Sequence, residues 1–196
     1  ATDSAPGAEG FQRYLQLVAS KARGQGVSQQ AIDSALGGLT YNPRVVALDR
    51  AQPGSRSASP PPFRDYYLRH IGAARINGGR AALAENAALI GSMAAQYGVP
   101  SQLIVAIWGK ETFYGRIKGD FDLARSLASL AYEGRRRDLF EGELIVLMKM
   151  LDRGVPRARM LGSWAGAFGN PQFLPSVYLR VARDGDGDGD ADIWND

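Results

Sequence analysis

Glu111 is the residue whose setting most plainly invites chemistry. On a helix from about Ser101 to Tyr114 it falls eight residues after Leu103, four after Ile107 and three after Trp108, within the apolar stripe itself. A carboxylate there stands where a leucine is expected. Apolar surroundings disfavour its charged form, the condition for a general acid that keeps its proton near neutral pH. The same spacing also fits a Glu paired with Lys110 or Arg116, or an edge residue facing water. Gly115 would end the helix and leave Glu111 in its last turn, beside a loop open to substrate. Glycosidic cleavage commonly uses two carboxylates, yet nearby Asp120 and Asp122 lack comparable apolar framing, so no second partner is identified.

Two further stretches carry candidate ligands. Gly162-Ser163-Trp164-Ala165-Gly166-Ala167 through Gln172-Phe173-Leu174-Pro175-Ser176 sets small residues between aromatics. It suits a cleft wall in which Ser163, Gln172 and main-chain amides hydrogen-bond sugar hydroxyls and N-acetyl groups while Trp164 or Phe173 packs on ring faces. Tight helix packing, with Gln172 on the surface, is an equal alternative, and the glycine spacing fits no phosphate loop. Farther on, Asp184, Asp186, Asp188, Gly189 and Asp190 match positions one, three, five, six and seven of an EF-hand-like calcium loop over 184–195. Asp190 would bind through its main-chain carbonyl. Position twelve, normally a bidentate Glu, falls on Asn195, which leaves closure of the coordination sphere open and an unoccupied or disordered terminal segment as the alternative.

These residues need a scaffold, and the composition supplies one. With 45% hydrophobic and 22% charged residues in 196, the chain can form a core, or a core plus a smaller lobe. The absence of cysteine excludes disulfides, thiolate metal sites and cysteine nucleophiles. No apolar run reaches the ~20 residues of a membrane span. The opening, Ala1 to Gly10, has neither a basic end nor an apolar stretch and would suit an exported protein after signal removal. Six of the twenty acidic residues lie in the last thirteen positions, so residues 1–183 hold 23 basic against 14 acidic, a formal +9. Such a body favours an anionic partner, nucleic acid, anionic lipid or acidic peptidoglycan, and charge alone fits a merely solvated basic surface equally well.

Helical spacing runs over 11–23, then from an N-cap at Ser28 to Leu36. Ala51 to Pro62, rich in Gln, Pro, Gly and Ser, reads as an extended connector. Helical patterning resumes at about Tyr66, breaks near Asn77-Gly78-Gly79 and stops at Gly98-Val99-Pro100; Leu123–Tyr132, Leu139–Leu151 and Pro175–Val181 are further helices. Strand-like alternation is scarce, so the class is mainly α.

Four blocks stand in a telling order. Tyr97-Gly98-Val99-Pro100 leads into Val105-Ala106-Ile107-Trp108-Gly109-Lys110-Glu111-Thr112-Phe113-Tyr114-Gly115. Leu127-Ala128-Ser129-Leu130-Ala131-Tyr132 follows with Arg135-Arg136 and Phe140, then the 162–176 stretch, then Asp184 to Trp194. Together they resemble the membrane-bound lytic transglycosylase B family of peptidoglycan-cleaving enzymes, soluble and lipid-anchored. The resemblance implies a lysozyme-like catalytic domain with an additional helical lobe, the chain dividing into an N-terminal helical segment and Pro-rich strap over 1–62 and the catalytic domain over 63–196, incomplete at its C-terminal end. It implies that Glu111 acts alone as acid and base, cleaving between N-acetylmuramic acid and N-acetylglucosamine with formation of a 1,6-anhydro ring. Ser163, Gln172 and Phe173 would hold the sugar, and Arg135 and Arg136 would meet peptide or lactyl carboxylates. Asp184, Asp186, Asp188 and Asp190 would hold a structural calcium ion, with no cofactor required for the chemistry. The implied partners are peptidoglycan glycan strands and cell-envelope proteins, with no nucleic acid, and the implied place is the periplasm. A lysozyme-type hydrolase and a non-catalytic peptidoglycan-binding fragment are the rival readings. Phe168, where the family usually has Met, and Asn170-Pro171 depart from the pattern.

Overall fold

The computed structural model describes residues 8–52, 62–185 and 187–195. Most of the Pro-rich connector, residues 53–61, and Asp186 of the expected calcium loop lie outside them. Ten α-helices follow one another among the described residues: α1 (Ala8–Gly24), α2 (Gln29–Leu36), α3 (Pro43–Arg50), α4 (Phe63–His70), α5 (Ala73–Glu85), α6 (Ala87–Tyr97), α7 (Ser101–Thr112), α8 (Leu123–Glu133), α9 (Arg137–Asp152) and α10 (Pro175–Val181). Two two-residue strands, β1 (Phe121–Asp122) and β2 (Leu161–Gly162), pair antiparallel.

Local chemistry explains several boundaries. Ser28 caps α2 as expected, its hydroxyl accepting from Ala31 N at 3.1 Å. Asp122 caps α8 by accepting from Arg125 N at 2.8 Å. The α3 helix escaped the periodicity reading. Its signal was Asn42-Pro43, an N-cap whose side chain accepts from Arg44 N, followed by proline in the first turn. The expected break at Asn77-Gly78-Gly79 does not occur: α5 runs straight through both glycines, and the interruptions fall at Ile71-Gly72 and at Asn86 instead. The reason lies in packing, because the missing Cβ atoms leave room for the Tyr114 ring.

Close packing groups the chain into two compact units, each drawn from separated stretches. Of the described residues, the first takes 8–52, 119–168, 173–185 and 187–192. Its centre is α8, where Leu123, Ala124, Leu127, Ala128, Leu130 and Ala131 are all buried together with the small polar residues Ser126 and Ser129, so that packing encloses the helix on most of its faces. Phe140, Leu144, Leu147 and Met148 of α9 and Phe11, Val18, Ile32 and Val45 of α1–α3 complete this core. Each fully buried side chain of this size contributes roughly 1.5–3 kcal/mol. Buried Ser129 is satisfied by Asn42 N, which donates at 2.9 Å.

Two carboxyl groups of α9 fasten the N-terminal helices. Burial pushes the Glu141 carboxyl up, but hydrogen bonds from Lys21 Nζ at 2.5 Å and Tyr14 Oη at 2.7 Å outweigh it and hold the group below the ordinary range. Asp152 is also lowered, by the Ser28 hydroxyl and amide. A carboxyl group with a depressed folded value favours the fold above its unfolded value of about 4, and that help is lost as pH falls through the folded value. The urea midpoint is therefore expected to fall on acidification from about pH 5 to pH 2. The fall should be smaller in Glu141→Gln with Asp152→Asn; equal slopes for parent and variant would remove these groups from the acid response.

The second unit takes the described residues 62–118, 169–172 and 193–195. Its small core is Ala82 of α5, Ile90 of α6 and Val105 of α7, against which Leu83, Ile104, Trp108 and Tyr114 pack. No residue of α4 is buried.

Candidate active site

At 100° per residue, α7 has two distinct apolar faces. Val105, Gly109 and Thr112 point into the unit, flanked by Ile104 and Trp108. Leu103 and Ile107, each 50% exposed, share the outer face with Glu111, which is exposed. The single stripe read from the sequence thus splits, with Trp108 turned inward and Ile107 outward, and the enclosed carboxylate expected there is corrected to an open one. Neither Lys110 nor Arg116 pairs with it. Lys110 Nζ stands 5.9 Å from the Tyr66 ring centre and the Arg116 guanidinium 5.7 Å from that of Phe113. Among the described residues the Glu111 carboxylate makes no hydrogen bond or ion pair.

The chain turns sharply just after it. Phe113 (φ 51°), Tyr114 (φ 61°) and Gly115 (φ 79°) are all left-handed, so α7 ends at Thr112 rather than at Gly115. Two such non-glycine residues cost of order 1–3 kcal/mol each and persist only where their surroundings hold them. Three anchors do so. Thr112, buried, takes the Gly115 amide on its hydroxyl at 3.0 Å and lies 3.0 Å from the Asn170 carbonyl, to which it donates. The indole of Trp108 donates to Asn170 Oδ1 at 3.3 Å. The Tyr114 ring lies on Gly109, Gly78 and Gly79, and its hydroxyl donates to the Arg75 carbonyl at 2.7 Å. Asn170 is itself tied down, its amide donating to the Ile193 carbonyl at 2.7 Å. The residue noted in the sequence only as a departure is therefore a brace for the helix that carries Glu111. Thr112, Tyr114 and Asn170 were missed as site residues because their roles depend on partners distant in sequence.

Gln172 shares this unit and is also left-handed (φ 52°). Its amide nitrogen faces two carbonyl oxygens, of Lys118 and Gly169, both at 3.1 Å. That consumes both N–H groups and leaves Oε1 as an acceptor for an incoming N–H or O–H.

Ser163, Phe173, Arg135 and Arg136 belong to the first unit. Ser163 closes a tight loop, its amide donating to the Ala167 carbonyl at 2.7 Å and its hydroxyl accepting from Ala167 N at 3.0 Å; the hydroxyl proton remains to donate. Phe173 pairs by main chain with buried Phe168. Glycines of this stretch serve packing: a Cβ on Gly166 would lie 2.5 Å from Leu127 Cδ2, and one on Gly162 would lie 2.2 Å from the Ala167 carbonyl oxygen. The following helix, α10, starts on a carboxylate, Glu143, which accepts from Ser176 N at 2.8 Å and Ser176 Oγ at 2.6 Å.

Arg135 and Arg136 converge on one partner, the buried carboxylate of Asp49 in α3. Arg135 Nε lies 2.8 Å from Asp49 Oδ2, and the Arg136 guanidinium is 4.7 Å from the Phe140 ring centre. Any ligand carboxylate would compete with Asp49 for these cations.

In the 184–195 loop, Asp184 accepts from Gly187 N at 2.6 Å and Gly189 N at 2.8 Å, and Asp188 accepts from Asp190 N at 2.8 Å. Gly189 is left-handed (φ 96°), as the tight turn requires. The Asp190 carboxylate pairs with Arg159 at 2.8 Å.

Comparison with known proteins decides the family. The transglycosylase SLT domain matches residues 10–196. The chain belongs to this family. Membrane-bound lytic murein transglycosylase B of Escherichia coli K12 is 39% identical over 101 residues, covering 50% of this chain and 28% of that protein. SltB3 of Pseudomonas aeruginosa, solved in complex with NAG-NAM-pentapeptide, superposes with a TM-score of 0.88 at 38% identity over 95% of this chain and 49% of its own. The Escherichia coli lytic transglycosylase Slt35, solved in complex with calcium, superposes with a TM-score of 0.76 at 28% identity over 94% of this chain and 57% of its own. This SLT-family chain has the mainly helical, lysozyme-like fold of those structures and spans about half of the SltB3 chain. Among its described residues no helix is long and apolar enough to cross a membrane.

Proposed function

We propose that this SLT-family chain cleaves peptidoglycan glycan strands non-hydrolytically, with Glu111 as its single acid and base. The observation that carries the reading is the open, unpaired Glu111 carboxylate at the braced end of α7, in a chain whose family match runs over 10–196. A glycan laid over Leu103 and Ile107 brings its bridging oxygen to the Glu111 carboxyl group and excludes water from the reacting atoms. The protonated group gives its proton to the bridging oxygen as the bond to muramyl C1 breaks. The resulting carboxylate then takes the proton of the muramyl C6 hydroxyl, whose oxygen closes on C1 as a 1,6-anhydro ring. One proton leaves Glu111 and one returns, and no water is consumed. In this reading Gln172 Oε1 accepts from a sugar hydroxyl or N-acetyl N–H, Ser163 donates its hydroxyl proton, and Phe173 offers a ring face. Arg135 and Arg136 meet a substrate carboxylate only through whatever charge Asp49 leaves unsatisfied. In this reading the chain works in the periplasm, where such a substrate lies.

Digestion of purified sacculi tests this directly. The expected products are muropeptides one water lighter than the reducing-end forms. Products of full mass would indicate hydrolysis, and intact sacculi with bound protein would indicate a binding module.

For the 184–195 loop we propose a structural calcium ion. Asp184 and Asp188 supply hard oxygen donors, Gly189 supplies the turn, and the engagement of the Asp190 side chain with Arg159 leaves its main-chain carbonyl as the ligand, which fits position seven. An ion that binds only the folded form stabilises it, by about 2.7 kcal/mol at a hundred times Kd. Calcium is expected to raise Tm by several degrees in the parent and not in Asp184→Ala with Asp188→Ala. A parent Tm indifferent to calcium would sink the assignment.

A further inference from the structure

We propose that Tyr114 is a positioning residue for Glu111, clasping the end of α7 onto α5; the inference rests on the catalytic reading of Glu111 given above. The clasp has matching halves. The ring of Tyr114 occupies space that any side chain at Gly109, Gly78 or Gly79 would fill, since a Cβ at these positions would lie 2.5, 2.8 and 2.7 Å from its atoms. Three glycines on two helices, two of them mid-α5 where glycine weakens a helix, thus converge on one aromatic ring. The hydroxyl then reaches past Gly79 to the Arg75 carbonyl at 2.7 Å, and Trp108 meets the ring edge-on at 5.8 Å between centroids.

The consequence for Glu111 follows from the backbone. Tyr114 is three residues beyond it, in the middle of the left-handed run Phe113-Tyr114-Gly115. The amide of Phe113 closes the last turn of α7 on the Gly109 carbonyl at 3.2 Å, and Gly109 is the residue under the ring. Strain of this kind relaxes unless side chains hold it, and of the three anchors Tyr114 is the one fastened to α5. Loosening the hydroxyl lets the final turn, and the carboxyl group on it, shift relative to a bound sugar. A misplacement on the order of 1 Å in a reacting group lowers turnover without a matching loss of affinity.

Two variants test the clasp from opposite sides. Tyr114→Phe keeps the ring and removes the bond to Arg75. Gly79→Ala favours the α5 helix but puts a methyl group where the hydroxyl lies. At a temperature where all proteins are fully folded, both are expected to lower kcat on sacculi about tenfold while KM stays within twofold. Both should also raise amide hydrogen exchange at Phe113 and Gly115 at least tenfold, with Ile104 and Val105 unchanged. Unchanged exchange at 113–115, kcat within twofold of the parent, or a KM that rises in step with the fall in kcat/KM would each overturn the positioning role. Failure of the catalytic reading looks different: the parent itself releases no product, and the exchange measurement then decides the clasp alone.

Discussion

Glu111→Gln is expected to lower release of anhydro-muropeptides by about 10²–10⁴-fold, the usual contribution of a positioned general acid and base. The amide keeps the size and most of the hydrogen-bonding reach of the carboxyl group but can neither deliver nor recover a proton. The substitution is also clean. Glu111 is exposed and pairs with nothing among the described residues, so stability should change by no more than about 0.5 kcal/mol. Sacculus binding should survive, since Leu103, Ile107 and Gln172 are untouched. Parallel measurements of product release, sacculus co-sedimentation and Tm separate these quantities. Turnover equal to the parent would take the acid/base role away from this residue, and with it the proposed mechanism.

Asp49→Ala is expected to destabilise the fold by about 2–3 kcal/mol, on the order of 4–12 °C in Tm for a chain of this length. Asp49 is 1% exposed and serves both Arg135 and Arg136. Removing it leaves two guanidinium groups without their anion, while Arg136 Nε already has no partner. The arginine side chains are 41% and 37% exposed, so water recovers part of the loss and keeps it below that of a fully buried charge. Thermal unfolding of Asp49→Ala, Arg135→Ala and Arg136→Ala distinguishes an anchor from a ligand contact. An anchor lowers Tm in all three. Arginines kept for substrate would lower sacculus affinity in the last two at unchanged Tm, which would contradict the anchoring role.

The helical scaffold was largely legible in the residues. Ser28 announced α2 by capping chemistry, and Pro175–Val181 stood out between proline and the polar tail. Short-range rules suffice for α2 because its cap satisfies its own helix end, whatever lies beyond, whereas the start of α10 is marked by Pro175 but met by Glu143 of α9. The same rules contained α3 in Asn42-Pro43, although its short apolar pattern hid it. Gly78-Gly79 shows where they fail: glycine weakens a helix taken alone, but here it admits a ring from 35 residues away, and the helix continues.

By itself the sequence determined that the chain is mainly helical, that Glu111 lies near the end of one helix, and which family's motifs surround it. Only the tertiary structure decided that Glu111 faces outward, that Asn170 and Tyr114 brace its helix, and that Arg135 and Arg136 are held by Asp49. The physical reason is that helical periodicity fixes the angle between side chains on one helix, whereas which face is buried, and which charge is neutralised, depends on the neighbours that pack against it.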